Sequence, residues 1–413
     1  MHVFEELASG LHKTWTDRGR DERTFPELAR EALTNFARGS APTPNQLFRW
    51  LLKTEHVPPQ FDPSSSFGNF ALTVATREDF HIDVLVWTDS TTAIHQHRFS
   101  GAFYVLQGSS LHTVWSFTES HRWNDRLKSG HLSVERTELL TEGSTRLILP
   151  GPAMIHSLFH LDSPTVTVVV RTPSSAIAAS QLTYERSGLA YEKQTQSERL
   201  SKVCQLLRTV WLSDDPQRLE LTKAALDGTD GASALRIISS IPSEKIGSSF
   251  ARLTDQLSAH DPKLASLLLE TIDCTRRDRE LVNLRRQTQD PAQRMLLAFV
   301  LNLPDRRSID LAIKQFAPSA SPAKWLWDTI RATHGRRDKS VEKSILGISR
   351  NKVSEEAIKL LLKGHSVDQT SKLIAGHDLL LSDARALCET LIRLPVLAPL
   401  TRPHLSSVRM EGA

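Results

Sequence analysis

The hydrophobic period of this chain changes twice, and that change constrains its fold more than any other feature. Between residues 70 and 172 apolar and polar residues alternate as they do on strands, whereas the segments on either side follow the three-to-four spacing of helices. Phe80-His81-Ile82-Asp83-Val84-Leu85-Val86-Trp87 reads as a strand, as do 103–106, 111–117, 132–139, 145–149 and 165–171, with Gly, Ser, Asp and Pro between them. Several short strands with turns at hairpin-like intervals close into a barrel or a sandwich, and about 100 residues suffice for one small barrel.

The flanks fill in the rest. Leu7, Leu11 and Trp15, then Phe36, Phe48, Leu51 and Leu52 around the turn at Ala41-Pro42-Thr43-Pro44, predict helices over 1–56. Val57-Pro58-Pro59-Gln60-Phe61-Asp62-Pro63 and three serines form a linker. After 196 apolar stripes return at 199–211, 218–226, 263–272, 292–301, 355–362 and 383–392, separated by Asp-Pro, Leu-Pro and Ser-Pro breaks. Their spacing is compatible with stacked helix pairs, although no sequence repeat asserts it. The expected domains are 1–56, helices that pack on the barrel; 57–190, the barrel; and 196–405, a helical domain.

Composition limits the partners. The chain has 413 residues, 51 basic and 47 acidic, for a net charge of +4. That balance is too mild and mixed to argue for nucleic acid. The densest basic stretch, Arg276-Arg277, Arg279 and Arg285-Arg286, is broken by Asp278 and Glu280 and reads as a solvated helix face. Residues 353–374, with Gly364 at a turn, have the layout of a helix-turn-helix, which short helix pairs share. Trp325 and Trp327 stand two apart and cannot both face one helix core, which offers one of them to a partner. No apolar run is long enough for a membrane span. The start, MHVFEELASGLHKTW, lacks a signal peptide's basic and apolar regions, so a cytoplasmic location is expected. The three cysteines, Cys204, Cys274 and Cys388, lie outside the strand region, so ligands there are nitrogen or oxygen.

The chemistry concentrates in histidines. In His95-Gln96-His97 the imidazoles share one face of a strand. His156 follows Pro150-Gly151-Pro152, a turn that lets the chain double back across the barrel. Three neutral imidazoles on a closed barrel can hold one divalent metal and leave positions open for substrate and oxygen. His160 competes weakly for the third place, and His112 and His131 read as ordinary surface or core histidines.

This segment, 68–174, resembles a cupin, and more narrowly the cysteine dioxygenase family of thiol dioxygenases. The stretch from Phe80 through His95-Gln96-His97 to Leu106-Gln107-Gly108 is similar to that family's strand, tryptophan, H-x-H and closing Leu-Gln-Gly. His156 and the valine-rich strand ending at Pro173 resemble its third histidine and last strand. The resemblance implies an α+β chain with a small cupin-type antiparallel barrel and iron(II), or another divalent metal, on His95, His97 and His156. It also implies an oxygenase that joins molecular oxygen to a small-molecule substrate.

Departures narrow the substrate. A four-ligand cupin has a glutamate where Gly101 stands, and thiol dioxygenases lack it too. The family's carboxylate-binding arginine falls near Phe70, where Gly68-Asn69-Phe70 offers none. Its serine–histidine–tyrosine alternation reads Thr167, Val169 and Arg171, and Gly101 also removes the cysteine partner of that tyrosine. Free cysteine is therefore not the expected substrate. Alternation turns Thr167, Val169 and Arg171 inward with Gly101 and Phe103 around a pocket, and turns Tyr104 outward against helices. The strand 165–171 holds no acid, so an inward Arg171 is expected to bind an anionic substrate, the alternative being a solvated guanidinium at the strand end. The competing expectation is a non-enzymatic metal- or ligand-binding sensor whose helices engage a protein partner.

Overall fold

The computed structural model describes residues 2–37, 42–61, 68–89, 91–176, 180–192, 197–242, 245, 253, 261–332, 346, 348–349, 351–376 and 379–401. Asp62, Pro63 and the serines at 64–66 of the expected linker lie outside them. The chain divides into two compact units, Met1–Arg276 and Arg277–Ala413.

Three helices open the first unit: α1 (His2–Asp17), α2 (Phe25–Ala37) and α3 (Pro44–Lys53). Thr43 caps α3 through a reciprocal pair of bonds with Gln46, and Pro44 occupies its first turn, where a missing N–H costs nothing. Eleven strands follow among the described residues: β1 (Phe70–Thr76), β2 (His81–Trp87), β3 (Ile94–His97), β4 (Gly101–Gln107), β5 (Ser110–Asn124), β6 (Leu127–Leu140), β7 (Thr145–Ile148), β8 (Gly151–His160), β9 (Thr165–Arg171), β10 (Leu182–Tyr184) and β11 (Leu189–Glu192). They form a five-stranded antiparallel sheet, β1-β2-β9-β4-β7, and a six-stranded sheet closed on itself, β10-β11-β6-β5-β8-β3. The fold class read from the sequence is the one found: N-terminal helices, a small antiparallel barrel and a helical C-terminal region.

The five-stranded sheet is covered on both faces, and alternation decides which side chain goes where. Val166, Val168 and Val170 of β9, Ile82 and Val84 of β2, and Ala102, Tyr104 and Leu106 of β4 pack under α1 and α2 with Phe4, Leu7, Phe25 and Leu33. Each Val, Leu, Ile or Phe among them, fully buried, contributes about 1.5–3 kcal/mol. The other face sends Leu85 and Trp87, Phe103 and Val105, and Val169 inward. Tyr104 meets Phe36 with ring centroids 6.3 Å apart, on the helix side as expected. At Pro150-Gly151-Pro152 the chain passes from β7 in one sheet to β8 in the other, with Gly151 at φ +65°.

The helices α4 (Glu198–Leu212), α5 (Arg218–Leu226) and α6 (Gly231–Ser240) belong to the first unit, with the start of α7 (Pro262–Gln287). Leu127 and Leu189 of the strands share a buried cluster with Leu235, Leu264 and Leu268. The boundary between units therefore falls within α7, and the helices from 198 onward are not one separate block.

The second unit holds α8 (Pro291–Asn302), α9 (Arg306–Phe316), α10 (Pro322–Ala332), α11 (Lys352–Leu362), α12 (Val367–Ile374), α13 (Leu381–Arg393) and α14 (Ala398–Thr401), with successive helices packed on one another. The breaks read from the sequence are helix boundaries: Asp290 caps α8 with Pro291 at its first position, and Leu303 before Pro304 ends it. Gly364, at φ +92°, makes the turn between α11 and α12. Both tryptophans of α10 are half-buried: Trp325 packs on Phe299 and Trp327 lies under Lys359. No described helix is long and apolar enough to cross a membrane.

Candidate metal centre

Register brings the three histidines together. On β3 and β8, His95 and His156 are direct cross-strand partners, and His97 follows two residues on. All three are buried, at 5%, 3% and 3% exposure. One ligand nitrogen from each lies within 4.8 Å of the others, and His97 Nε2 is 2.9 Å from His156 Nε2. Metal–nitrogen bonds of about 2.1 Å at right angles put their nitrogens about 3 Å apart, so this separation suits one ion.

The proton positions suit it too. His95 Nδ1 lies 2.8 Å from the Ala93 carbonyl, which can only accept, so Nδ1 carries the proton and Nε2 the lone pair. His156 is set by a longer chain. Arg146 donates to Glu138 from Nε at 2.9 Å and from Nη2. Those bonds, and then His112, hold the Glu138 carboxyl well below the usual range, so it is ionised. Glu138 therefore accepts from His112 Nδ1 at 2.9 Å, which leaves His112 Nε2 to accept from His156 Nδ1 at 2.9 Å. His156 Nε2 is thereby a lone pair facing His97. Burial pushes the His97 and His156 imidazoles well below the usual range, with neighbouring histidines adding to it. No hydrogen bond among the described residues fixes the proton of His97; with it on Nδ1, three lone pairs converge, and they repel one another unless a cation sits between them. The donor set fits a divalent metal.

His112 was expected to be ordinary. It is fully buried on β5 and sits diagonally across from His156, which pairs with Val114. Its sequence signal was parity: on a strand, His112 shares a face with Val114. His131 is an exposed strand residue, as expected. His160 stands apart from the cluster: its Nδ1 meets the Ser110 hydroxyl at 2.9 Å and its ring stacks on Trp87.

The centre opens into a cavity of about 490 Å³. Phe103, Thr167, Val169 and Arg171 line it, together with Leu85, Trp87, Phe99 and Leu158. Gly101 does not. A Cβ there would lie 2.0 Å from the Val170 carbonyl oxygen, so the position is closed by backbone contact between β4 and β9. The same contact leaves no room for the glutamate of a four-ligand centre.

The premise for Arg171 also needs correction. Its own strand holds no acid, but Asp83 on β2 does the pairing, at 2.9 Å from Arg171 Nε. Asp83 also accepts from Thr73 Oγ1 at 2.8 Å. Burial pushes the Asp83 carboxyl up, but His81, Arg171 and Thr73 together bring it below its ordinary value. The guanidinium lies 4.9 Å above the Phe99 ring and is partly exposed to the cavity.

No family model matches the chain, and no curated protein matches it. Solved structures that resemble part of it include a cupin-2 domain protein from Shewanella frigidimarina, 11% identical, covering 30% of this chain and 90% of that one at TM-score 0.19. A conserved protein with a double-stranded β-helix domain from Klebsiella pneumoniae is 17% identical, covering 34% and 93% at TM-score 0.20. A hydroquinone 1,2-dioxygenase from a Sphingomonas species, with 4-hydroxybenzoate bound, is 10% identical, covering 27% and 70% at TM-score 0.21. Each likeness covers about a third of the chain or less, and the likeness to cysteine dioxygenases rests on the sequence motifs alone.

Proposed function

We propose that the barrel is the iron(II) centre of an oxygenase acting on a small anionic molecule, with His95, His97 and His156 as the protein's metal ligands. The observation that carries this reading is the convergence of three buried imidazoles on the wall of a cavity large enough for a small ligand. Bound there, iron would supply the redox chemistry that joins dioxygen to a substrate.

The chain's own residues then bind, orient and exclude water. Leu85, Trp87, Phe103 and Leu158 make the cavity wall apolar beside the imidazoles. Arg171 offers the two Nη groups that Asp83 leaves free, a fork suited to a carboxylate or phosphate. Gly68-Asn69-Phe70 lacks the arginine of the cysteine dioxygenases, and Asp83 takes part of the charge of Arg171. Free cysteine should therefore turn over well below about 1 per second. Oxygen consumption by iron-loaded protein with a panel of small carboxylates and thiols tests the reading. Substrate-dependent uptake that disappears in His95→Ala supports it, and cysteine oxidation at or above that rate would restore the ordinary family substrate. The helices of the second unit we assign to a protein partner.

A further inference from the structure

Beyond the three-histidine centre the cavity holds another buried imidazole. His81 is 1% exposed, lines the cavity and stacks on Phe61 at 3.9 Å. Its Nε2 is 3.3 Å from Asp83 Oδ2, too poorly aligned for a hydrogen bond, and its Nδ1 has no hydrogen-bond partner among the described residues either. A buried nitrogen left so is destabilising unless something else satisfies it. Two polar side chains beside it are already engaged. Gln60 bonds the backbone of Pro58 and Thr73, and the Thr73 hydroxyl is on Asp83.

Directly opposite His81 in the β2–β9 pairing stands Arg171. Its Nε is taken by Asp83, while its Nη groups make no hydrogen bond or ion pair among the described residues. An ionised Asp83 carboxylate 3.3 Å from His81 Nε2 favours the proton on that nitrogen, the tautomer in which Nδ1 is an acceptor. Two neighbouring unsatisfied functions thus face one cavity: a single acceptor and a two-pronged cationic donor.

We propose that His81 and Arg171 form the head-group subsite for a hydroxycarboxylate. The carboxylate lies on the Nη fork of Arg171, and the adjacent hydroxyl donates to His81 Nδ1. Asp83 is a positioning residue for both, and Phe61 holds the imidazole from the other side. Leu85, Trp87, Phe103 and Leu158 accept the hydrocarbon body. The subsite deepens the oxygenase reading by naming its substrate class, yet it needs no metal to bind.

The test is calorimetric titration of the full chain, stripped of metal by chelator so that no ion can capture the hydroxy acid. The probes are mandelate, phenylacetate, which lacks the hydroxyl, and mandelamide, which lacks the charge. Mandelate should bind at least about tenfold more tightly than either analogue, the worth of one hydrogen bond to a buried partner. Arg171→Gln should weaken mandelate and phenylacetate alike. His81→Phe should bring mandelate down to the level of phenylacetate and leave phenylacetate unchanged. If mandelate binds the unsubstituted chain no better than phenylacetate, the proposal is overturned without recourse to a variant. Mandelate discrimination in a chain that never takes up iron would retain the subsite and remove the oxygenase reading. Iron uptake without discrimination would do the reverse.

Discussion

At the scale of residues, His156 is held from behind. Arg146, Glu138 and His112 fix which nitrogen of His156 carries its proton, and so which one is presented to the other imidazoles. Outer partners of this kind are worth about 10–100-fold in metal affinity. His112→Ala should lower affinity by that factor in competition with a chromophoric chelator, and Glu138→Gln should act in the same direction. Equal affinity in all three proteins would remove the relay from the account. Asp83 makes a prediction of a different kind. Its folded pKa is below the unfolded value of about 3.9, so its ionised form stabilises the fold above that pH and the benefit disappears as pH falls through the folded value. Urea unfolding should therefore show a stability gap between the native chain and Asp83→Asn at pH 6 that narrows toward pH 3. The convergence of His95 and His97 was legible because residues two apart on a strand share a face. The partners of His156 and Arg171 were not, because both lie on neighbouring strands whose register only the fold supplies.

At the scale of elements, what the sequence showed was type and centre, and what it hid was extent. Strand β9 matches its sequence reading because a valine run between Pro164 and Pro173 has marked ends. Strands β5 and β6 run several residues beyond the expected 111–117 and 132–139, since their shared hairpin extends past the alternating apolar part into exposed, polar positions. Helix α7 is 26 residues long where 263–272 was expected, because its second half is charged and carries little apolar stripe. Strands β10 and β11 are too short to show a period, yet β10 pairs with β3 and completes the closed sheet that carries His95. The contact between β4 and β9 at Gly101 yields a sharp expectation. Gly101→Ala forces backbone apart and should cost about 1–3 kcal/mol or more, read as a lowered midpoint in thermal or urea unfolding. A midpoint unchanged by this substitution would mean that β9 yields there, and would reopen the position to a fourth ligand.

At the scale of the molecule, the candidate centre lies in the first unit, where one sheet carries helices outside and the cavity inside, and the other supplies the imidazoles. Alternation along β2, β4 and β9 serves both purposes: one set of side chains holds α1 and α2, and the other set, offset by one residue, builds the binding cavity. The account stands on that cavity holding a metal. The most direct measurement is the metal content of the full chain, expressed with iron and purified without chelator, beside His95→Ala, His97→Ala and His156→Ala with folding checked by circular dichroism. The account predicts about one iron per native chain and a loss of most of it in each variant. A native chain that binds no divalent metal, or three folded variants that keep the full complement, would contradict it.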